Sequence, residues 1–242
     1  MVVELLLQVK GIESYYGKLK ALNGIDLEMD EGTAVSVIGP NGAGKSTLLN
    51  SIFGAIKPKS GQVLFNGKNI VGYSTQAILR EGISLVPQGR MLFPNLTVEE
   101  NLIVGGYVLH NKTVTRQKMK NAYETFPLLN ERRNQMAGTL SGGEQQILSI
   151  ARALMVEPKL LLMDEPSMGL APKYTREVLK IMNELNKRGT SVLLAEQNAI
   201  FALEGCSDAY VVEAGQLKLK GKSADLLADP VVKKIYLGET SS

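Results

Sequence analysis

Apolar residues along the chain fall into short blocks divided by turn-forming residues, and the blocks change character twice. Segments 5–9 and 22–29 predict short strands with turn residues between them. Residues 33–38 form an apolar, β-branched run that stops at Gly39, Pro40, Asn41 and Gly42, and a helix-compatible stretch follows at 46–53. Strands are predicted again at 62–65, which ends in Asn66 and Gly67, and at 83–86. From about 97 to 157 the pattern is mostly helical. Thr97 with Glu100, and Ser141 with Glu144, have the spacing of capping boxes at two helix starts. Strands and helices then alternate. Residues 160–163 are uninterrupted apolar, as in a parallel strand covered on both faces. Val178, Ile181, Met182 and Leu185 recur at helical spacing within 174–187. A strand at 191–195, a hairpin over 209–220 and two short helices complete the chain. The pattern predicts an α/β fold whose core is discontinuous, 1–89 and 158–242, with a helical insert at 90–157.

Composition narrows the chemistry. The 242 residues contain one cysteine, Cys206, and one histidine, His110. An internal disulfide is impossible, and a zinc site of the usual Cys/His kind has too few ligands. A Ser-His-Asp triad would rest wholly on His110, which sits in a polar stretch and is expected to be solvated. The net charge of +3 is spread along the chain, which predicts a mixed solvated surface and no nucleic-acid partner. The opening apolar run is broken by Glu4, so no signal peptide is expected. No stretch reaches the 18 or so apolar residues that span a bilayer, so any membrane role must come through a partner.

The strongest local motif runs from Gly39 through Pro40, Asn41, Gly42, Ala43 and Gly44 to Lys45, Ser46 and Thr47. It fits G-x-x-x-x-G-K-[S/T], in which glycines let consecutive N–H groups curl round phosphate oxygens. The helix behind it aims its positive end at the same place. Lys45 would reach the β- and γ-phosphates, and Ser46 would ligate Mg²⁺. A similar Gly221, Lys222, Ser223 lacks the first glycine, since position 216 is Gln. The apolar run at 160–163 ends in Asp164 and Glu165. Asp164 would belong to the Mg²⁺ shell, and Glu165 would orient or deprotonate the attacking water.

A third motif, Leu140, Ser141, Gly142, Gly143, Glu144, Gln145, Gln146, opens a helix of the insert. With the phosphate loop and the acid pair, in that order, it closely resembles the ATP-binding cassette ATPases. That resemblance implies a P-loop NTPase core with a β-rich N-terminal subdomain and an inserted α-helical subdomain. It implies ATP and Mg²⁺ as ligands. It also implies head-to-tail pairing with a second cassette, whose γ-phosphate is closed over by Ser141, Gly142 and Gly143. Gln88 matches the family's glutamine loop, which senses γ-phosphate and Mg²⁺ near the transporter contact. Tyr16, before Gly17, matches the aromatic that stacks on adenine. Membrane-spanning permease subunits, an extracytoplasmic solute-binding protein acting through them, and a place on the cytoplasmic face of the membrane follow from the same resemblance.

Two positions depart from the family pattern. Gln197 stands where a γ-phosphate-contacting histidine is usual, and Ala171 where an aspartate is usual. A glutamine amide can donate to phosphate but cannot shuttle a proton. Gln197 is therefore expected to position the γ-phosphate, leaving base chemistry to Glu165. The stretches 166–172, 195–198, 88–94, 96–102 and 235–238 resemble the second ATPase of branched-chain amino acid importers, the LivF type. Its partner is then either a second copy or a related LivG-type cassette. A urea or other small-solute importer is the alternative, and a soluble cassette outside transport a more distant one. Met91, Leu92 and Phe93 form an apolar cluster expected on a surface loop, a candidate contact for a membrane partner.

Overall fold

The computed structural model describes residues 5–229, arranged as two sheets and their covering helices. A long hairpin opens the chain, β1 (Leu5–Tyr16) with β2 (Leu19–Asp30). With β4 (Ser60–Phe65) and β5 (Lys68–Asn69) it forms an antiparallel sheet of order β2-β1-β4-β5. Each hairpin strand has 12 residues, longer than its sequence segment predicts. Register shifts near Val9 and Ile12 explain this, since a bulge interrupts the alternation that marks a strand in sequence.

The second sheet has the order β10-β9-β3-β8-β7-β6. Its strands are β3 (Ala34–Ile38), β6 (Ile83–Val86), β7 (Leu160–Asp164), β8 (Ser191–Glu196), β9 (Asp208–Glu213) and β10 (Gln216–Lys222). All neighbours are parallel except β10, which runs antiparallel at the edge. Helix α1 (Lys45–Ile52) follows β3, and α2 (Thr75–Glu81) precedes β6. Strands β6 and β7 are neighbours in space, yet four helices lie between them in sequence: α3 (Val98–Gly105), α4 (Lys112–Thr125), α5 (Pro127–Glu131) and α6 (Gly142–Leu154). Then come α7 (Pro172–Lys187), α8 (Ala199–Gly205) and α9 (Ser223–Ala228). The second of the two terminal helices expected from sequence, residues 1–4 with Glu4, and the 235–238 motif lie outside the described residues.

The uninterrupted apolar strands have a direct cause. On one face of the parallel sheet, Val35, Val37, Leu160, Leu162 and Leu193 pack with α1 and the antiparallel sheet. On the other, Leu161, Met163, Val192 and Leu194 pack against α6, α7 and α8. Both parities are buried, so no polar face is available. Each such Leu contributes about 1.5–3 kcal/mol by leaving water. Both capping boxes form. The Thr97 amide donates to Glu100 at 2.8 Å, and the Ser141 amide to Glu144 at 2.8 Å.

Cys206 is buried in this core, and burial pushes its thiol up to about 12. At pH 8 almost no thiolate forms. Maleimide should label the folded chain slowly and the urea-unfolded chain fast. Rapid labelling of folded protein would contradict this packing. His110 is exposed, as expected, its Nε2 3.3 Å from Arg80 Nη2.

Candidate functional site

The end of β3 sets the site. Its loop turns back on itself at Gly39, where a Cβ would sit 2.1 Å from the Val212 carbonyl oxygen. At Gly44, φ is +105° and a Cβ would meet Leu22 and the Ala21 carbonyl within 3 Å. Only glycine fits both places. Gly44 is also the N-cap of α1, and no side chain caps that end. The first amides of α1 therefore face the loop with no side-chain acceptor, which suits an anion.

A cavity of about 430 Å³ lies over this loop. Asn41, Gly42, Ala43, Gly44, Lys45, Ser46 and Thr47 form its floor, while Gln88 and Glu165 reach it from elsewhere in the chain. Tyr16, the last residue of β1, stands at its rim, 53% exposed, with Leu19 and Lys20 nearby. A half-exposed aromatic at the mouth of a phosphate loop is a ready platform for a base.

Lys45 is buried, 4% exposed. Its Nζ donates to the carbonyls of Gly39 and Pro40, at 2.9 and 3.1 Å, and pairs with Glu165 Oε1 at 3.1 Å. The other Glu165 oxygen accepts from Gln88 Nε2 at 3.2 Å. Thus the lysine, the second acid and the glutamine, from three separate segments, meet at one carboxylate. Ser46 Oγ donates to Asp164 Oδ1 at 2.9 Å, so the two oxygens expected to hold a metal are already adjacent. Burial raises the Asp164 carboxyl above its usual range, with the Ser46 bond acting in the opposite sense. Glu165 holds a left-handed backbone, φ +46°, rare for a non-glycine residue.

Seven expected site residues do not line this cavity: Gly39, Pro40 and Asp164, each bonded to Lys45 or Ser46 in its floor, and Ser141, Gly142, Gly143 and Gln197. Ser141, Gly142 and the buried Gly143 open α6, and none of them lines the cavity. Gln197 is exposed just past the end of β8 and does not line it either. Ala171 is the N-cap of α7 and makes no capping bond, as its side chain requires.

Three neighbours escaped the sequence reading. Tyr174 packs its ring on Gly143 and holds its hydroxyl 3.5 Å from Ser141 Oγ. Arg90 lies against Gly142, with Nη1 3.3 Å from Gln145 Oε1. Glu196, at the end of β8, is 2% exposed and bonded to two loop amides. Only Glu196 had a local signal, an acid ending an otherwise apolar strand.

Residues 22–168 match the model of a family described as ABC transporter. The chain belongs to that family. The cassette is 45% identical, over 96% of its own length and 100% of the other, to the "High-affinity branched-chain amino acid transport ATP-binding protein BraG" of Pseudomonas aeruginosa. Among solved structures it resembles a nucleotide-free ATP-binding cassette from an ABC transporter, with a TM-score of 0.86 and 31% identity over 97% of this chain and 100% of that one. It also resembles a dimeric cassette in a post-hydrolysis state bound to ADP and phosphate, with a TM-score of 0.80 and 26% identity over 90% and 98%. The fold is that of the ABC ATPases, and the chain is an ATP-hydrolysing transporter subunit. Such cassettes bind nucleotide, dimerise and work with membrane permeases. No helix of the described residues is long and apolar enough to cross a membrane.

Proposed function

We propose that this cassette drives an importer of branched-chain amino acids. The observation that carries the hydrolytic part is the meeting of Lys45, Glu165 and Gln88 above a glycine-built phosphate loop. Amides of the 39–47 loop and Lys45 bind the triphosphate, and Tyr16 takes the adenine. Ser46 and Asp164 fit Mg²⁺, with Gln88 at its edge. Both are hard oxygen donors of the kind Mg²⁺ takes, and phosphate and water would complete its shell. When bound, the ion neutralises charge on the phosphates. Glu165 orients the attacking water and takes its proton, while Gln88 and Lys45 fix the carboxylate.

Ser141, Gly142 and Gly143 act on nucleotide held by a second cassette, a second copy or a LivG-type relative. That none of the three lines the cavity of its own chain supports that reading. Gln197 positions the γ-phosphate within that closed pair. The solute class rests on the likeness to BraG and on the stretches 166–172 and 195–198. The permease contact is placed at 90–94, where Met91 and Phe93 are 69% and 47% exposed. A solute-binding protein delivers the amino acid to the permease, and the cassette lies on the cytoplasmic face of the membrane.

Reconstitution with the permease and binding protein is the test. Leucine, isoleucine or valine should stimulate ATP turnover, and Met91→Glu with Phe93→Glu should abolish that stimulation while sparing basal hydrolysis. Stimulation by urea alone would overturn the solute class, and full coupling in the double variant would overturn the docking site.

A further inference from the structure

Glu165 sits in a turn that its own side chain does not favour. A left-handed glutamate persists only where its surroundings over-determine it. Here the last two residues of β8 supply the constraint. The Glu165 amide donates to the Ala195 carbonyl at 2.8 Å. Two residues on, the Ser167 amide donates to Glu196 Oε1 at 2.9 Å. The 165–167 turn is thus pinned at both ends by neighbouring residues of one strand. The second oxygen of Glu196 accepts from the Asn198 amide at 3.2 Å, and Asn198 in turn caps α8 by accepting from the Phe201 amide at 3.2 Å. One buried carboxylate therefore ties together the loop that follows the acid pair and the loop that carries Gln197.

We infer that Glu196 is a positioning residue for hydrolysis, clamping the 165–167 turn so that the Glu165 carboxylate faces the cavity. The inference rests on the reading of Glu165 as the proton acceptor. A carboxylate is the group this job needs, because both of its oxygens accept while both partners are backbone donors. A glutamine at 196 would point its NH₂ at one of the two amides and release one loop. An aspartate keeps the charge but is one methylene shorter and cannot span both partners. Glu196 is buried and, unlike Lys45 and Glu165, does not line the cavity. It works through Glu165.

The test is a double-mutant cycle on the full chain. Glu196→Gln should lower kcat for ATP by about 10- to 100-fold, the scale of a small misplacement of a catalytic group. KM and the affinity for ATP should stay near wild type, because Glu196 meets the 39–47 loop only through its backbone carbonyl, which accepts from the Gly39 amide and is kept in the variant. Glu196→Asp should show the same split, which guards against a folding defect peculiar to the amide. In a Glu165→Gln background, Glu196→Gln should lower turnover no further, since there is no carboxylate left to aim. Independent, multiplying losses would overturn the inference, as would a parallel loss of ATP affinity. Full kcat in Glu196→Gln beside an inactive Glu165→Gln would also overturn it, leaving the role of Glu165 intact. Full turnover in Glu165→Gln would remove that role, and the inference with it.

Discussion

Glu165→Gln is expected to lower steady-state ATP turnover by about 100- to 10,000-fold, the usual contribution of a positioned general base. The substitution is nearly isosteric, so the geometry that argues for it also predicts what survives. The side chain is 7% exposed, with Lys45 on one oxygen and Gln88 on the other. An amide can accept from Lys45 through its oxygen, but its NH₂ then faces the Gln88 amide. Removing one partner of a buried ion pair costs up to about 3–5 kcal/mol when the other charge is left alone. Lys45 is not left alone, because the Gly39 and Pro40 carbonyls still accept from it. The variant should therefore fold and bind ATP. Purified protein measured for phosphate release and for nucleotide affinity will separate the two effects. Wild-type release would remove Glu165 from the chemistry.

The second large effect is expected from one methyl group. Gly143→Ala would place a Cβ 2.1–2.4 Å from three ring carbons of Tyr174. Neither side yields cheaply, since the glycine lies in the first turn of α6 and the tyrosine in the first turn of α7. Overpacking of this kind costs about 1–3 kcal/mol. Relief requires α6 to move at its start, carrying Ser141 and Gly142 away from their place. Turnover should fall at least about tenfold, as when an oriented group is misplaced. ATP binding to the 39–47 loop should persist. Tyr174→Ala in the same chain removes the obstacle and should recover part of the activity. A fully active Gly143→Ala, or no recovery with Tyr174→Ala, would show that the packing has no bearing on function.

What sequence revealed and what it hid divide along contact range. The β3, loop and α1 unit is a local pattern, so the phosphate loop could be placed from residues 33–53 alone. The acid pair was legible because β7 is buried on both faces and ends abruptly in charge. Both capping boxes were legible because their partners lie three residues apart. The bond between Gln88 and Glu165 spans 77 positions, and no local pattern could place it. The same holds for Tyr174 on Gly143. Short elements were missed for a different reason. Helix α2 buries only Ile78, and β5 has two residues, so neither carries a periodic signal. Gln197 was read from its place in a motif, and only the coordinates put it outside the cavity of its own chain.

In the proposed mechanism the carboxylate held between Lys45 and Gln88 makes ATP hydrolysis possible. The most direct measurement is the chemical identity of the nucleotide retained by Glu165→Gln after incubation with ATP and Mg²⁺. The geometry predicts bound, uncleaved ATP, with wild type incubated in parallel converting its nucleotide to ADP. ADP in the variant, formed at the wild-type rate, would contradict it.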